Sequence, residues 1–314
     1  MRIRDKIKKP QRPVVAYEIL PPREKDGTLN SYAEIISSLL SQTHIDAINI
    51  PEVHDENSRG QRPVLNQKRG EPREFGRLLQ DIVGIEAIVN RVVVHASFND
   101  QLKWIETTNK KYEIENLIIV GGESSSIKYP GPSVNDVLEK ISSNFNTNGG
   151  DLFCGGIAIP SRDKESINLI KKAQHGSEFF TTQVLYDSKK IIKMIGHYQK
   201  KCDSMKTFPR RLLLSFAPVS SQKNIDFLKW LGVEIPKETE RYLKARPGSM
   251  IERSLDVAVE VLSDILEYIS ENSIQVPIGL NVEHIMSYNF QSSVEMLQEL
   301  ARIYREFCIK TKLY

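Results

Sequence analysis

The feature that most constrains the fold is a regular alternation of short apolar runs with helical segments along the chain. Each run is rich in valine, isoleucine and leucine and has the length of a buried β-strand. The eight predicted strands are residues 14–20, 47–51, 88–96, 116–120, 153–159, 179–186, 212–218 and 276–285. Apolar residues spaced three and four apart predict helices that include 31–40, 101–108, 134–145, 166–173, 189–198 and 224–231. A final helix has an apolar face formed by Val294, Leu297, Ala301, Tyr304 and Cys308.

This alternation predicts a parallel sheet covered by helices, because strands buried on both faces are apolar throughout. Eight strands favour closure into a (β/α)8 barrel, and 314 residues suit that architecture. An open doubly wound sheet is the alternative, but no G-x-G-x-x-G motif follows the first strand. We therefore predict a single barrel domain over residues 1–314, with an extra helix within 234–272 before the eighth strand.

Composition excludes several classes of protein. The net charge is only +3, from 43 basic and 40 acidic residues, which does not suggest a nucleic-acid partner. No run of about 18 apolar residues occurs, and the basic start of the chain lacks the apolar stretch of a secretory signal. The three cysteines are far apart and form no C-x-x-C pair. We expect a cytoplasmic protein without membrane contact or structural zinc.

Residues 52–73 form a long polar stretch after the second strand. Its basic residues are Arg59, Arg62, Lys68, Arg69 and Arg73. The stretch is either a solvated loop or a lid that contacts a phosphate, since long loops in compact domains are often functional. His54 with Glu52, Asp55 and Glu56 has the composition of a metal site but lacks helical ligand spacing. We predict no metal there.

Polar residues at the ends of the predicted strands are the candidates for chemistry, because barrel active sites lie at the carboxyl ends of strands. Glu18 interrupts the first apolar run, His95 closes the third strand, Glu123 follows Gly121-Gly122, and Gln183 lies in the sixth strand. The eighth strand offers Asn281, Glu283 and His284. Each has an ordinary structural explanation. Two carboxylates and an amide at one barrel mouth nevertheless predict acid–base chemistry on a flat polar substrate.

Four segments carry a resemblance to a known family. In chain order they read YEILPP, LIIVGGE, FTTQVLYD and FAPVSSQKNIDFLKWLGVEIPKE. Together they resemble the methylenetetrahydrofolate reductase family over residues 14–300, nearly the whole barrel. The family reduces 5,10-methylenetetrahydrofolate to 5-methyltetrahydrofolate, usually with FAD as a hydride relay from NAD(P)H. The resemblance therefore implies a one-carbon oxidoreductase with a folate or related pterin as substrate.

The resemblance also implies roles for individual residues. Glu18 corresponds to the family's general acid, and Gln183 to the glutamine that hydrogen-bonds the pterin ring. Glu123 takes the position of an aspartate that lies beside both the flavin and the pterin. His95 corresponds to a histidine next to the flavin, and Lys172 to a basic residue near the cofactor phosphates. Family members form dimers or tetramers, so the resemblance implies a homo-oligomer.

Several departures concern the flavin positions. The turn reads Gly121-Gly122-Glu123 where the family has R-G-D, and residues 159–163 lack the tyrosine and histidine that contact FAD. Gln222 stands where an aromatic side chain often stacks on the folate. The sequence thus leaves open whether FAD relays the hydride or NADH passes it directly. Two other interpretations also remain: a barrel lyase or isomerase for a phosphorylated substrate, and a non-catalytic accessory subunit of a one-carbon reductase complex.

Overall fold

The computed structural model is a closed barrel in which eight parallel strands pair in sequence order. The structure describes residues 1–41, 43–54, 60–64, 67–122, 127–145 and 151–311. The last strand pairs with the first, which closes the sheet. The strands are β1 (Val15–Glu18), β2 (Ala47–Ile50), β3 (Ala87–Val92), β4 (Asn116–Val120), β5 (Phe153–Ala158), β6 (Phe179–Thr182), β7 (Arg211–Phe216) and β8 (Ile278–Glu283). The predicted (β/α)8 barrel is confirmed, and the open-sheet alternative is wrong.

Helices surround the barrel. They are α1 (Ile3–Ile7), α2 (Leu29–Leu40), α3 (Pro72–Val83), α4 (Phe98–Tyr112), α5 (Val134–Lys140), α6 (Glu165–Gln174), α7 (Ser188–Ser204), α8 (Gln222–Trp230), α9 (Lys237–Leu243), α10 (Met250–Glu271) and α11 (Phe290–Lys310). The expected insertion before β8 is confirmed. Because α10 packs against α7 and α11 as a helix of the outer ring, the inserted elements are the short helices α8 and α9.

Element boundaries differ from the prediction in three informative places. β3 ends at Val92 and is followed by a 3-10 turn over Val93–His95, so His95 lies beyond the strand and does not close it. β6 ends at Thr182, which places Gln183 directly after the strand. The polar stretch predicted over 52–73 ends where α3 begins. Pro72 suits the first turn of a helix, and the Glu71 side chain accepts from the backbone N–H of Glu74 as an N-cap.

The barrel interior changes polarity along the strand direction. Its lower layer is apolar and contains Val14, Ala16, Ala47, Ile88, Ile118, Phe153, Phe179 and Leu213, closed from below by Ile3 and Ile7 of α1. Inward-facing side chains recur every second residue in a strand. The next inward positions are mostly polar: Glu18, Asn49, Asn90, Thr181, Ser215 and Asn281. The carboxyl ends of the strands therefore surround a polar floor, where a barrel places its chemistry.

A buried arginine, Arg211, links α1 and β8 at the lower end of the barrel. This side chain is 2% exposed. Its guanidinium donates to the backbone carbonyls of Ile7 (3.1 Å), Lys9 (2.7 Å) and Ile278. Elsewhere, Cys154, Cys202 and Cys308 are buried and free. Among the described residues, no helix combines the length and apolarity needed to cross a membrane.

Candidate functional site

A cavity of about 410 Å³ opens at the carboxyl ends of the strands. It has a floor of inward-facing strand residues, a wall formed by an inserted helix, and a rim that carries arginines. A second cavity of about 540 Å³ adjoins it outside the barrel and shares Gln183, Val184 and Val233 with it. Only the first cavity is lined by the strand-end carboxyls, Glu18 and Glu283, so it is the candidate active site.

Glu18 is the last residue of β1 and forms part of the floor. Its Cα pairs with Asn49 on one neighbouring strand and with Glu283 on the other. Asn49 Nδ2 donates to Glu18 Oε2 at 2.6 Å, and Asn281 Nδ2 lies 3.4 Å from the same oxygen. Both of these contacts are made to Oε2, which leaves Oε1 to the cavity that Glu18 lines. β1 and its two neighbours thus hold this carboxyl in one orientation.

Glu283 provides a second carboxyl beside the first. Asn281 Nδ2 lies 3.2 Å from Glu283 Oε1 and 3.1 Å from Ser215 Oγ. Burial raises the pKa of Glu283 to about 7, although hydrogen bonds from Ser215 and Asn281 oppose this. Burial, and then the charge of Glu283, raise the pKa of Glu18 well above its ordinary value. Both carboxyls of the floor therefore keep a proton to higher pH than an ordinary glutamate does.

His284 follows this pair and is buried against β1. Its Nδ1 lies 3.3 Å from the backbone carbonyl oxygen of Glu18. Burial lowers the pKa of His284 to about 4, and the positive charge of Arg69 acts in the same direction. The imidazole is consequently neutral at physiological pH, and Nδ1 carries the hydrogen if it donates to that carbonyl.

Four polar atoms of the floor are buried without a hydrogen-bond partner among the described residues. They are the side-chain oxygens of Asn49, Asn90, Thr181 and Asn281. Asn90 and Thr181 line the cavity directly. Buried polar atoms in proteins are almost always paired with protein or ordered water. The floor therefore offers hydrogen-bonding capacity to the polar edge of a bound molecule.

The wall is aromatic and cationic. The rings of Phe227 and Trp230 stack with centroids 5.9 Å apart and an interplanar angle of 13°. With Met286 they form a small apolar cluster separate from the main core, against which Val64 packs. The guanidinium of Arg62 lies 5.2 Å from the Phe227 ring and 5.3 Å from the Trp230 ring. This wall suits a flat aromatic group.

The rim carries two further arginines. Arg23 forms an ion pair with Asp26 at 2.7 Å and donates to Ser287 Oγ at 2.9 Å. Arg69 donates to the backbone carbonyl of Pro21 at 2.8 Å. Burial lowers the pKa of Arg69, and repulsion from the neighbouring Arg23 adds to this. Crowded cations at a cavity mouth favour a ligand with a negatively charged end.

The structure brings four of the candidates named from the sequence together in the lining of the cavity: Glu18, Gln183, Glu283 and His284. Gln183 Nε2 donates to the carbonyl of Leu231 at 2.9 Å, which links β6 to the end of α8. His95 does not line the cavity. Its ring packs against His54, with centroids 4.6 Å apart, and His54 does line the cavity.

Lys172 also lies outside the cavity lining. Its ammonium donates to the carbonyl of Ile157 at 2.5 Å and lies 3.5 Å from Glu165 Oε1. At the end of β4, the ring of Tyr129 lies over Gly122, where an added Cβ would come within 2.2 Å of it. Glu123, predicted to contact both substrate and cofactor, lies outside the described residues.

Glu52, one of the residues whose grouping resembles a metal site, forms an ion pair with Arg91. Glu52 accepts from Arg91 Nη1 at 2.5 Å and from the backbone N–H of Val92 at 2.7 Å, with His54 Nε2 3.2 Å away. Asp55 and Glu56 lie outside the described residues. In the part of the chain that the structure describes, no group of three potential ligands among His, Cys, Asp and Glu is arranged to hold a metal ion.

The sequence prediction did not assign roles to several cavity residues. They are Arg23, Asn90, Thr181, Phe227, Trp230 and Glu283. The spacing Gly279–Asn281–Glu283 could have identified Glu283 as inward-facing, since alternate residues share a face. The aromatic wall had no such signal, because it depends on how α8 folds back over the mouth.

Comparison with known proteins identifies the family. The family model described as methylenetetrahydrofolate reductase matches residues 2–301. No protein of curated function matches the sequence. Among solved structures, a Clostridium thermocellum protein described as binding two copies of 5-methyl-5,6,7,8-tetrahydrofolic acid aligns with a TM-score of 0.76. It is 21% identical, over 96% of this chain and 99% of that chain.

A structure of oxaloacetate acetylhydrolase is a weaker match. It aligns with a TM-score of 0.46 at 7% identity, over 91% of this chain and 82% of that chain, and it supports no argument about function. The resemblance seen in the sequence and the family match both extend over nearly the whole barrel. The chain therefore belongs to the methylenetetrahydrofolate reductase family.

Proposed function

We propose that this chain reduces 5,10-methylenetetrahydrofolate, or a related pterin carrier of one-carbon units, to the 5-methyl form with hydride from NAD(P)H. The observation that carries the proposal is the position of Glu18, a carboxyl with a raised pKa that Asn49 holds on the floor of a cavity suited to one end of a pterin. Family membership supports the reaction class. We take residues 1–314 to act as one catalytic domain.

The three zones of the cavity correspond to three parts of a folate. The unpaired amide and hydroxyl oxygens of Asn90 and Thr181 suit the N–H donors of a pterin ring. The Phe227–Trp230 wall suits the aminobenzoyl ring. Arg23 and Arg69 at the rim suit the carboxylates of the glutamate tail. The Clostridium thermocellum relative, which is described as binding a methylated folate, supports this choice of ligand.

Glu18 acts as the general acid in this proposal. It transfers its proton to N10 of the bridged substrate, and the C–N10 bond breaks to leave an iminium between N5 and the one-carbon unit. Hydride from the nicotinamide adds to that carbon, which yields the methyl group and NAD(P)⁺. A carboxyl whose pKa is raised by burial can hold a proton at neutral pH and release it in the transition state. Gln183 orients the pterin at the edge of the floor.

The described residues do not fit FAD. Of the positions assigned to the flavin by resemblance, His95 and Lys172 are described, and neither lines the cavity. The Lys172 ammonium is held by Ile157 and Glu165, so it is not presented to a pyrophosphate. The Tyr129 ring covers the turn at Gly122 beside the end of β4. We therefore assign no step to a flavin and propose direct hydride transfer, with Lys172 and His95 in structural roles.

The experiment that tests the proposal follows nicotinamide oxidation by the freshly purified protein. We expect a colourless protein that oxidises NADH or NADPH only when methylenetetrahydrofolate is present, with one 5-methyl product formed per nicotinamide. A flavin absorption band that NADH bleaches and the folate restores would refute direct transfer while keeping the reductase. A protein inert with every pterin would refute the proposal and favour the lyase or accessory-subunit interpretation.

A further inference from the structure

Strand β8 supplies a carboxyl that the family resemblance does not explain. The strand reads GLNVEH, and Glu283 is not among the residues to which the resemblance gives a role. Glu283 is the Cα partner of Glu18, and both lie at the carboxyl end of their strands. A single amide nitrogen, Asn281 Nδ2, lies within 3.4 Å of one carboxylate and 3.2 Å of the other. The floor is therefore built around a pair of adjacent carboxyls.

We propose that Glu283 is a positioning residue for proton transfer: its carboxylate keeps the adjacent Glu18 protonated, so that the pair holds one proton when the substrate binds. The inference rests on the proposed function, in which Glu18 is the acid. It goes beyond that function because it explains why Glu18 keeps its proton: the negative charge of Glu283 in β8 disfavours the ionisation of Glu18.

Each carboxyl contacts two polar side chains, so the charge that Glu283 exerts on Glu18 decides which member of the pair keeps the proton. The anion of Glu283 is stabilised by Ser215 and Asn281, whose hydrogen bonds lower its pKa against the effect of burial. Once Glu283 is charged, ionising Glu18 would place two negative charges side by side away from water. Asn49 and Asn281 both contact Glu18 Oε2, so the proton can stay on Oε1 and face the substrate.

The other ionisable groups near Glu283 keep a constant charge around neutral pH. Tyr186, which follows β6, is buried with its pKa raised by burial and by Glu283, so it stays neutral. His284 has its pKa lowered to about 4 and is neutral. Arg69, in the stretch after β2, remains a cation. The pKa of Glu283 near 7 and the raised pKa of Glu18 thus belong to a pair whose neighbours do not change charge in this range.

The proton balance of the step is simple. The O–H bond at Glu18 breaks and an N–H bond forms on the substrate, while Glu283 stays an anion throughout. After the product leaves, Glu18 takes a proton from water, and the negative charge of Glu283 favours that reprotonation. Glu283 touches neither the hydride nor the reacting carbon in this scheme.

The first test uses the free protein and does not depend on catalysis. Carboxyl carbons of glutamate are labelled with ¹³C and titrated by NMR in the wild type, Glu283→Gln and Glu86→Gln. Glu86 is the control, because it binds Ile3 and Asn116 at the opposite end of the barrel. We expect Glu283→Gln to shift the titration of Glu18 by roughly one to two pH units toward acid. Glu86→Gln should leave it in place.

The second test compares the pH dependence of kcat/KM with NADH and methylenetetrahydrofolate. The rate should fall as pH rises through the pKa of Glu18, and this alkaline limb should move toward acid in Glu283→Gln. Glu283→Asp keeps the charge and should restore the limb to within about half a pH unit. A limb that stays in place in Glu283→Gln, with KM raised, would show that Glu283 binds the pterin and would overturn the proposal.

The two tests separate this inference from the proposed function. If the protein reduces no pterin but Glu18 titrates at lower pH in Glu283→Gln, the carboxyl pair stands and the reductase assignment fails. If the reductase is active and Glu18 titrates at the same pH in the wild type and in Glu283→Gln, the role proposed for Glu283 is wrong and the reductase assignment stands.

Discussion

The two ends of the barrel are built from the same strands but have opposite chemistry. At the lower end, the inward-facing residues are apolar, and the buried Arg211 is bonded to carbonyls of α1's following turn and of β8. At the upper end, two carboxyls are neighbours and four buried side-chain oxygens have no partner among the described residues. The lower end holds its buried arginine with carbonyls of the protein itself, whereas the upper end groups two carboxyls and the unpaired oxygens of Asn90 and Thr181 around one cavity.

This difference indicates where the chain gives up stability for function. A buried carboxyl with a raised pKa and an unpaired amide oxygen both cost free energy in the empty protein. Such groups persist in native proteins mainly at functional sites. Substitutions at the lower end should therefore change folding, and substitutions at the upper end should change activity.

The largest expected effect on activity is that of Glu18→Gln. Removing a general acid should lower kcat by roughly 100- to 10,000-fold, because the ring nitrogen then leaves unprotonated. Thermal stability should be equal to or higher than that of the wild type, since a costly buried carboxyl is lost. Steady-state kinetics and calorimetry measure both, with Glu86→Gln as the matched carboxyl at the lower end. A Glu18→Gln protein that turns over at the wild-type rate would exclude Glu18 as the acid.

Arg211→Leu should have the converse effect at the lower end. Three carbonyls lose a charged donor in a buried place, so the free energy of unfolding should fall by about 3 kcal/mol. The control is Arg210→Leu. Arg210 is 41% exposed and forms an ion pair with Glu178, so its replacement should lower the free energy of unfolding by less than about 1 kcal/mol. Urea unfolding gives both values, and kcat measured below the transition should be unchanged in each.

Trp230→Ala tests the aromatic wall. The substitution removes one stacked ring, so KM for the pterin should rise roughly 10-fold with kcat nearly unchanged, as expected when ground-state and transition-state binding weaken together. The chain's other tryptophan is the control. Trp104 stacks with Arg73 and Arg91 outside the cavity, so Trp104→Ala should affect stability and leave KM unaltered. An equal rise in KM in Trp230→Ala and Trp104→Ala would contradict the assignment of Trp230 to the substrate-binding wall.

The smallest expected effect is on the pH dependence of stability. The folded pKa of Glu283 is about 7, above the ordinary value of 4.5, so the folded state binds more protons than the unfolded state between these values. Stability from this group is complete below about pH 4.5 and is lost as pH rises toward 7. The melting temperature of Glu283→Gln should therefore rise relative to the wild type over this range. Arg210→Leu should show no such change.

Much of the fold was predictable because strand signals are local. Runs of β-branched residues identified all eight strands, and their number indicated closure. Strand ends were less predictable: His95 and Gln183 fall just beyond their strands, because pairing in the closed barrel decides where a strand stops. The short helix α1 went unpredicted because it is only five residues long and is stabilised by tertiary packing.

The candidate site was predictable only where a residue conflicted with its local pattern. Glu18 stood out because a carboxylate interrupts an apolar run, and its position in the cavity agrees with that signal. The adjacency of Glu18 and Glu283 depends on the register between the first and last strands, which are separated by most of the chain. The aromatic wall could not be predicted, because Arg62 packs over the rings of Phe227 and Trp230 in α8. This contact joins distant parts of the chain, and the spacing of residues within a helix does not indicate it.

The most direct test of hydride transfer with Glu18 as the general acid is a single turnover of the freshly purified protein with NADH or NADPH and methylenetetrahydrofolate. Near-ultraviolet absorbance reports the nicotinamide, and mass spectrometry reports the pterin. We predict that, without added flavin, one nicotinamide is oxidised for each 5-methyl product, and that Glu18→Gln binds the substrate but forms product at least about 100-fold more slowly. Unchanged product formation by Glu18→Gln, or an absolute requirement for FAD, would contradict this prediction.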